Sequence, residues 1–126
     1  MYNSTTVTLY NFGCPRTGNP EFVEWAEGIL DSASVRMRRQ LDIVPSIPPR
    51  SIGYRHIRTE VWNKHSDGHP DSYVACDGSG EDPQCGDSEE HPPFPLYLLH
   101  LKPAEHTKYM GYEGGSCAGG GNNVFV

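Results

Sequence analysis

Basic residues are scarce in this chain of 126 residues: 10 Lys and Arg stand against 16 Asp and Glu, a formal net charge of -6. That balance offers no cationic footprint for a phosphate backbone, so no nucleic-acid partner is expected. Long apolar runs are missing as well. No stretch approaches the roughly 20 residues of a membrane-spanning helix, so no transmembrane segment is expected. Met1–Thr6 has neither a basic region nor an apolar h-region, and no signal peptide is read in this chain. Cys14, Cys76, Cys85 and Cys117 form no C-x-x-C pair. Their even number is compatible with disulfides and leaves the redox compartment open. There is no internal repeat. What is abundant is turn chemistry: 14 Gly and 11 Pro, set in a chain that is still 36% hydrophobic. This composition describes one small globular domain rather than a disordered segment.

Val7–Phe12 is short, β-branched and aromatic, with large side chains on both faces. It predicts a strand buried on both sides, as in a parallel sheet. A turn follows at Gly13–Gly18. Asn19 then suits an N-cap and Pro20 the first helical position. Phe22, Val23, Ala26, Ile29 and Leu30 mark one face of the helix, which ends at Asp31–Ser34. Val35–Leu41 is a second strand in spite of its three arginines. Strand, helix and strand joined by short links make a βαβ unit. Arg55–Trp62 alternates, with Ile57, Thr59 and Val61 on one face, and predicts a half-exposed antiparallel strand with Ser72–Cys76 as its hairpin partner. The apolar span Phe94–Leu101 fits helix or strand. The Gly-rich tail 112–126 is set apart from 1–111.

Asp42 follows the second strand and precedes Pro45, Pro48 and Pro49. A carboxylate at the carboxyl edge of a parallel sheet, in a loop stiffened by proline, suits the orienting acid of a hydrolase site. On this stretch alone the alternative is a surface Asp in a proline-rich turn. A second class of reading is a metal site around His65, Asp67, His69, Asp71, Cys76, Cys85 and His91. These donors lack the regular short spacing of structural zinc sites.

Four blocks in order, between Val7 and Gly111, carry a resemblance. They are YNFGCPRTGNPEF, LDIVPSIPP, GYRHIRTEVW and AEHTKYMGY. Together they resemble the C-terminal half of the class 3 lipases, the α/β-hydrolase group that includes fungal triacylglycerol lipases and feruloyl esterases. The resemblance implies an incomplete α/β-hydrolase fold: a βαβ unit, then antiparallel strands and a histidine-bearing loop. It implies a serine carboxylester hydrolase needing no cofactor, with Asp42 as the acid and His106 as the base. The loop between Cys76 and Cys85 also resembles a disulfide loop of some esterases of the group, a pairing that stays open and is tied to secretion. Arg16, Asn19, His56 and Trp62 are expected to be structural, and Cys14 an inert thiol.

The family nucleophile lies in a G-x-S-x-G turn, and this sequence has none. Ser4 and Ser79 lack the motif, and Gly114–Ala118 places its serine behind His106 in the tail. The expectation is therefore that the serine, the oxyanion hole and the lid belong to an N-terminal half outside this chain. Taken alone the chain is expected to be inactive, marginally stable and prone to associate. The alternative is a non-catalytic fragment, a decoy or a partner chain. The substrate among triacylglycerol, phospholipid, galactolipid and feruloyl esters is not legible, and secretion is an option only for the parent protein.

Overall fold

A computed structural model describes residues 7–65, 72–110 and 112–113. Its main sheet has four strands in the order β1 (Tyr10–Phe12), β2 (Val35–Arg39), β3 (Glu60–Asn63) and β4 (Tyr73–Ala75). β1, β2 and β3 run parallel, and β4 closes the sheet antiparallel to β3. The helix α1 (Pro20–Ile29) connects β1 to β2, so the expected βαβ unit is present. The Asn19 side chain accepts the Phe22 N–H at 3.0 Å and Pro20 opens the helix, each satisfying the local rule that marks the helix start. A small ribbon of β5 (Lys108–Tyr109) and β6 (Tyr112–Glu113) follows the histidine loop. No described helix is long and apolar enough to cross a membrane.

Three expectations need correction. β1 is not buried on both faces: Tyr10 is 63% exposed and Phe12 47%. Among the described residues β1 is the sheet edge, with β2 on one side only. For the same reason the apolar face of α1 is only partly covered, with Ala26 buried but Phe22 and Ile29 open. β3 is antiparallel only toward β4; toward β2 it is parallel, with Arg36 opposite Glu60 and Arg38 opposite Trp62. The long loop between Asp42 and Glu60 supplies the return needed for a parallel neighbour. The span 94–101 is neither α-helix nor strand but a 3₁₀ turn at Leu96–Leu99 with only Tyr97 buried.

The interior is charged. The arginines that make β2 an unusual strand point at alternate positions onto one face, where Arg36 and Arg38 are 1% and 0% exposed. Arg36 Nη2 donates to Glu60 Oε2 at 2.6 Å and to Gly80 O at 2.9 Å. The loop from Cys76 to Glu90 covers this face, and the Cys76–Cys85 disulfide ties it together. Arg16 reaches in from the turn after β1, with Nη2 2.8 Å from both Glu81 and Glu90. Buried charge is tolerable only when paired and hydrogen-bonded, and this loop is the source of the counter-charges.

Candidate active site

Asp42 lies three residues beyond the end of β2, at the carboxyl edge of the parallel strands, and is completely buried. Its Oδ1 accepts the Val44 N–H at 2.9 Å, a local turn that suits an Asp entering a 3₁₀ segment at Val44–Ser46. Its Oδ2 lies 3.0 Å from His106 Nδ1 and accepts the Tyr109 hydroxyl at 2.5 Å. A carboxylate acceptor at Nδ1 requires the proton to be there, which leaves the lone pair on Nε2. The His106 side chain is 38% exposed, so this imidazole bridges a buried anion and the surface.

Each partner is delivered by a separate part of the fold. His106 sits in the 3₁₀ turn Pro103–Thr107, and Lys102 ties that turn to the acid loop through Lys102 N–H to Leu41 O at 2.7 Å. Glu105, beside His106, accepts Arg39 Nε at 2.8 Å. The Tyr109 ring packs edge-on against Phe12, with centroids 5.8 Å apart, which links β1 to the histidine loop. Burial first, and then the Asp42 carboxylate, push the Tyr109 phenol well up, so it remains a donor. Gly13, at φ +65°, forms the floor beneath the imidazole.

The acid loop is braced from below. His56 Nε2 donates to Pro45 O at 2.8 Å, Tyr97 Oη donates to Ser46 O at 2.7 Å, and Arg38 donates to Ser46 Oγ at 2.8 Å. Arg16 adds its backbone N–H to Ile47 O and a guanidinium N–H to Pro48 O. Burial, followed by the Arg36 and Arg16 charges, holds His56 far below the ordinary histidine range, so it is a neutral donor. Arg16 and His56 thus hold the loop after Asp42, while Asn19 caps α1. Trp62 is half-buried within β3. Cys14 is a free, half-buried thiol pushed up by burial, the opposite of an activated nucleophile.

The metal reading loses two of its donors. Glu60, Cys76 and Cys85 approach within 4.8 Å of one another, but both sulfurs are consumed by the disulfide. Asp67, His69 and Asp71 lie outside the described residues, as do Ser4, Ser116 and Cys117. Ser79 sits in an exposed turn with its hydroxyl accepting the Glu81 N–H at 3.1 Å. Sequence reasoning missed Gly13 and the contact of Tyr109 with Asp42. The Tyr three residues after His106 was visible only as spacing.

Residues 1–52 match the family described as Lipase (class 3). Over 117 residues, 91% of this chain, the sequence is 32% identical to a lipase of Rhizomucor miehei. The chain is similar to class 3 lipases over these spans. The likeness extends to solved structures. A lipase from Rhizopus microsporus var. chinensis superposes with a TM-score of 0.70 at 31% identity, over 87% of this chain. A triacylglycerol lipase whose catalytic centre is formed by a serine protease triad superposes at 0.63 with 26% identity, over 85% of this chain. The match covers 29% of the Rhizomucor lipase, 34% of the Rhizopus structure and 37% of the triad structure. The chain therefore spans only about a third of the length of each of these lipases, with an α/β-hydrolase-like arrangement of its sheet.

Proposed function

We propose that this chain supplies the acid and the base of a serine carboxylester hydrolase acting on lipid esters. Asp42 holds the His106 imidazole by Nδ1 and stabilises its charged form. Nε2 removes the proton from a serine hydroxyl as the oxygen attacks the ester carbonyl, then delivers that proton to the departing alcohol. The serine and the backbone donors of the oxyanion hole belong to sequence outside this chain, because no G-x-S-x-G turn occurs in it. The observation that carries the reading is the 3.0 Å contact between a fully buried carboxylate and a half-exposed imidazole at the carboxyl edge of a parallel sheet. Its support from outside is the likeness to a lipase with a serine protease triad.

The test uses native material. The protein is captured with an antibody against the Asp42 loop, labelled with a fluorophosphonate and weighed intact. The expected result is a labelled polypeptide well above 14.0 kDa, with labelling abolished by His106→Ala. An unlabelled species at 14.0 kDa would overturn the reading and leave a non-catalytic partner or decoy chain.

A further inference from the structure

Leu41 immediately precedes Asp42 and has φ +63°, a left-handed conformation in a residue that is not glycine. That geometry disfavours an L-residue because its Cβ crowds the carbonyl oxygen. Here it turns the chain sharply from β2 into the acid loop, with the Asp42 N–H closing back on Arg39 O at 3.2 Å. A bent backbone of this kind persists only where neighbours hold it from both sides. On one side the Leu41 carbonyl accepts the Lys102 N–H at 2.7 Å. On the other, the Leu41 N–H donates to Glu89 Oε1 at 2.9 Å.

Glu89 is itself well anchored. It belongs to the 3₁₀ turn Gly86–Glu89, four residues beyond Cys85 and its disulfide. Gly86 N–H donates to Glu60 Oε1 at 3.0 Å, and the Glu89 carbonyl accepts His100 Nε2 at 2.8 Å. The carboxyl group therefore approaches Leu41 from a loop fastened to β3, β4 and the segment leading to His106.

We infer that Glu89 is a positioning residue for the Asp42–His106 pair: it accepts the Leu41 N–H and so holds the left-handed turn that aims the Asp42 carboxylate at the imidazole. This rests on the reading of Asp42 and His106 as acid and base. Glu89 touches no reacting atom; it acts through the backbone of Leu41.

The probe is the low-field proton resonance of His106 Nδ1–H, read by NMR in the native-length protein that carries this chain. Glu89→Gln keeps an acceptor oxygen and leaves the exchange rate of that proton unchanged. Glu89→Ala speeds its exchange with water about tenfold, the scale of one lost hydrogen bond. Adding Leu41→Gly removes the crowding that makes Glu89 necessary, and the double variant Leu41→Gly/Glu89→Ala returns to within about threefold of the starting rate. Wild-type exchange in Glu89→Ala would overturn the inference. So would a double variant no slower than Glu89→Ala or, if that single variant does not fold, one about tenfold faster than wild type. Asp42→Asn is the control for the pair: a resonance it leaves unmoved counts against the acid–base reading itself. A resonance sensitive to Asp42→Asn but not to Glu89→Ala counts against the role of Glu89 alone.

Discussion

Gly13 and His106 share a space with no room for a methyl group. A Cβ on Gly13 would stand 2.7 Å from both Cε1 and Nδ1 of the imidazole, and 2.8 Å from Asp42 Oδ2. The missing side chain after β1 is what lets the His106 ring and the Asp42 carboxyl group meet. Gly13→Ala is expected to push the ring off Asp42 and to strain a backbone at φ +65°. In the proposed serine hydrolase, ester turnover is expected to fall by about 100-fold or more, since a displacement near 1 Å is enough for that loss. Stability falls by about 1–2 kcal/mol from the backbone conformation. Turnover kinetics and chemical denaturation, measured side by side, check both numbers.

The charged interior makes its own prediction about pH. Arg16, Arg38 and Arg50 face Glu81, Asp87, Glu89 and Glu90, so the carboxyl groups outnumber the guanidiniums by one. Burial, and then the Glu81 and Glu90 charges, push Asp87 up to about 7. An unfolded Asp titrates near ~3.9, so between about 4 and 7 the folded chain holds a proton that the unfolded chain has lost. The Asp87 contribution to stability therefore falls as pH rises through that window. His56 has the opposite sign, being held neutral: its contribution is lost as pH falls below the ordinary histidine value. Glu81 is lowered: burial raises it, but the Arg16 hydrogen bond and charge outweigh that, and its contribution is lost only on acidification below the ordinary glutamate value. The difference between wild type and Asp87→Asn isolates Asp87. At pH 8 the Asn variant is expected to be more stable by on the order of 1–2 kcal/mol, with the gap closing toward pH 4. Denaturant melts across that range test it; a gap independent of pH contradicts the assignment.

Arg36 and Glu60 stand opposite each other in the β2–β3 register and are 1% and 2% exposed. Removing one charge strands the other in a dry interior. Glu60→Gln still accepts the Gly86 N–H but leaves the guanidinium without its counter-charge, at a cost of about 3–5 kcal/mol. Adding Arg36→Met removes the stranded charge, and the double variant is expected to regain at least half of that loss. A double variant as unstable as the single one, by thermal or urea unfolding, would mean that shape rather than charge dominates the site.

Much of the local architecture was legible because its causes are local. Asn19 and Pro20 start a helix by their own chemistry, and the spacing of Val7–Phe12 and Val35–Leu41 around it makes a βαβ unit. The arginines of β2 argued against a strand because their partners lie far along the chain: Glu60 for Arg36, and Glu90 for Arg38. Burial failed at β1 and α1 for a related reason. An apolar pattern states which face seeks cover, not whether the described chain provides it.

The sequence by itself determined the helix caps, the proline-stiffened loop behind Asp42 and the four ordered blocks that relate this chain to the class 3 lipases. These depend on residue type and short spacing. Only the tertiary structure decided that Asp42 and His106, 64 positions apart, meet at 3.0 Å. It also decided that Tyr109 shares the same oxygen, that Gly13 leaves room for the ring and that Glu89 reaches back to Leu41. The physical reason is that hydrogen bonds and van der Waals contacts act over a few ångströms in space. The sequence presents those partners tens of residues apart, and folding alone brings them within range.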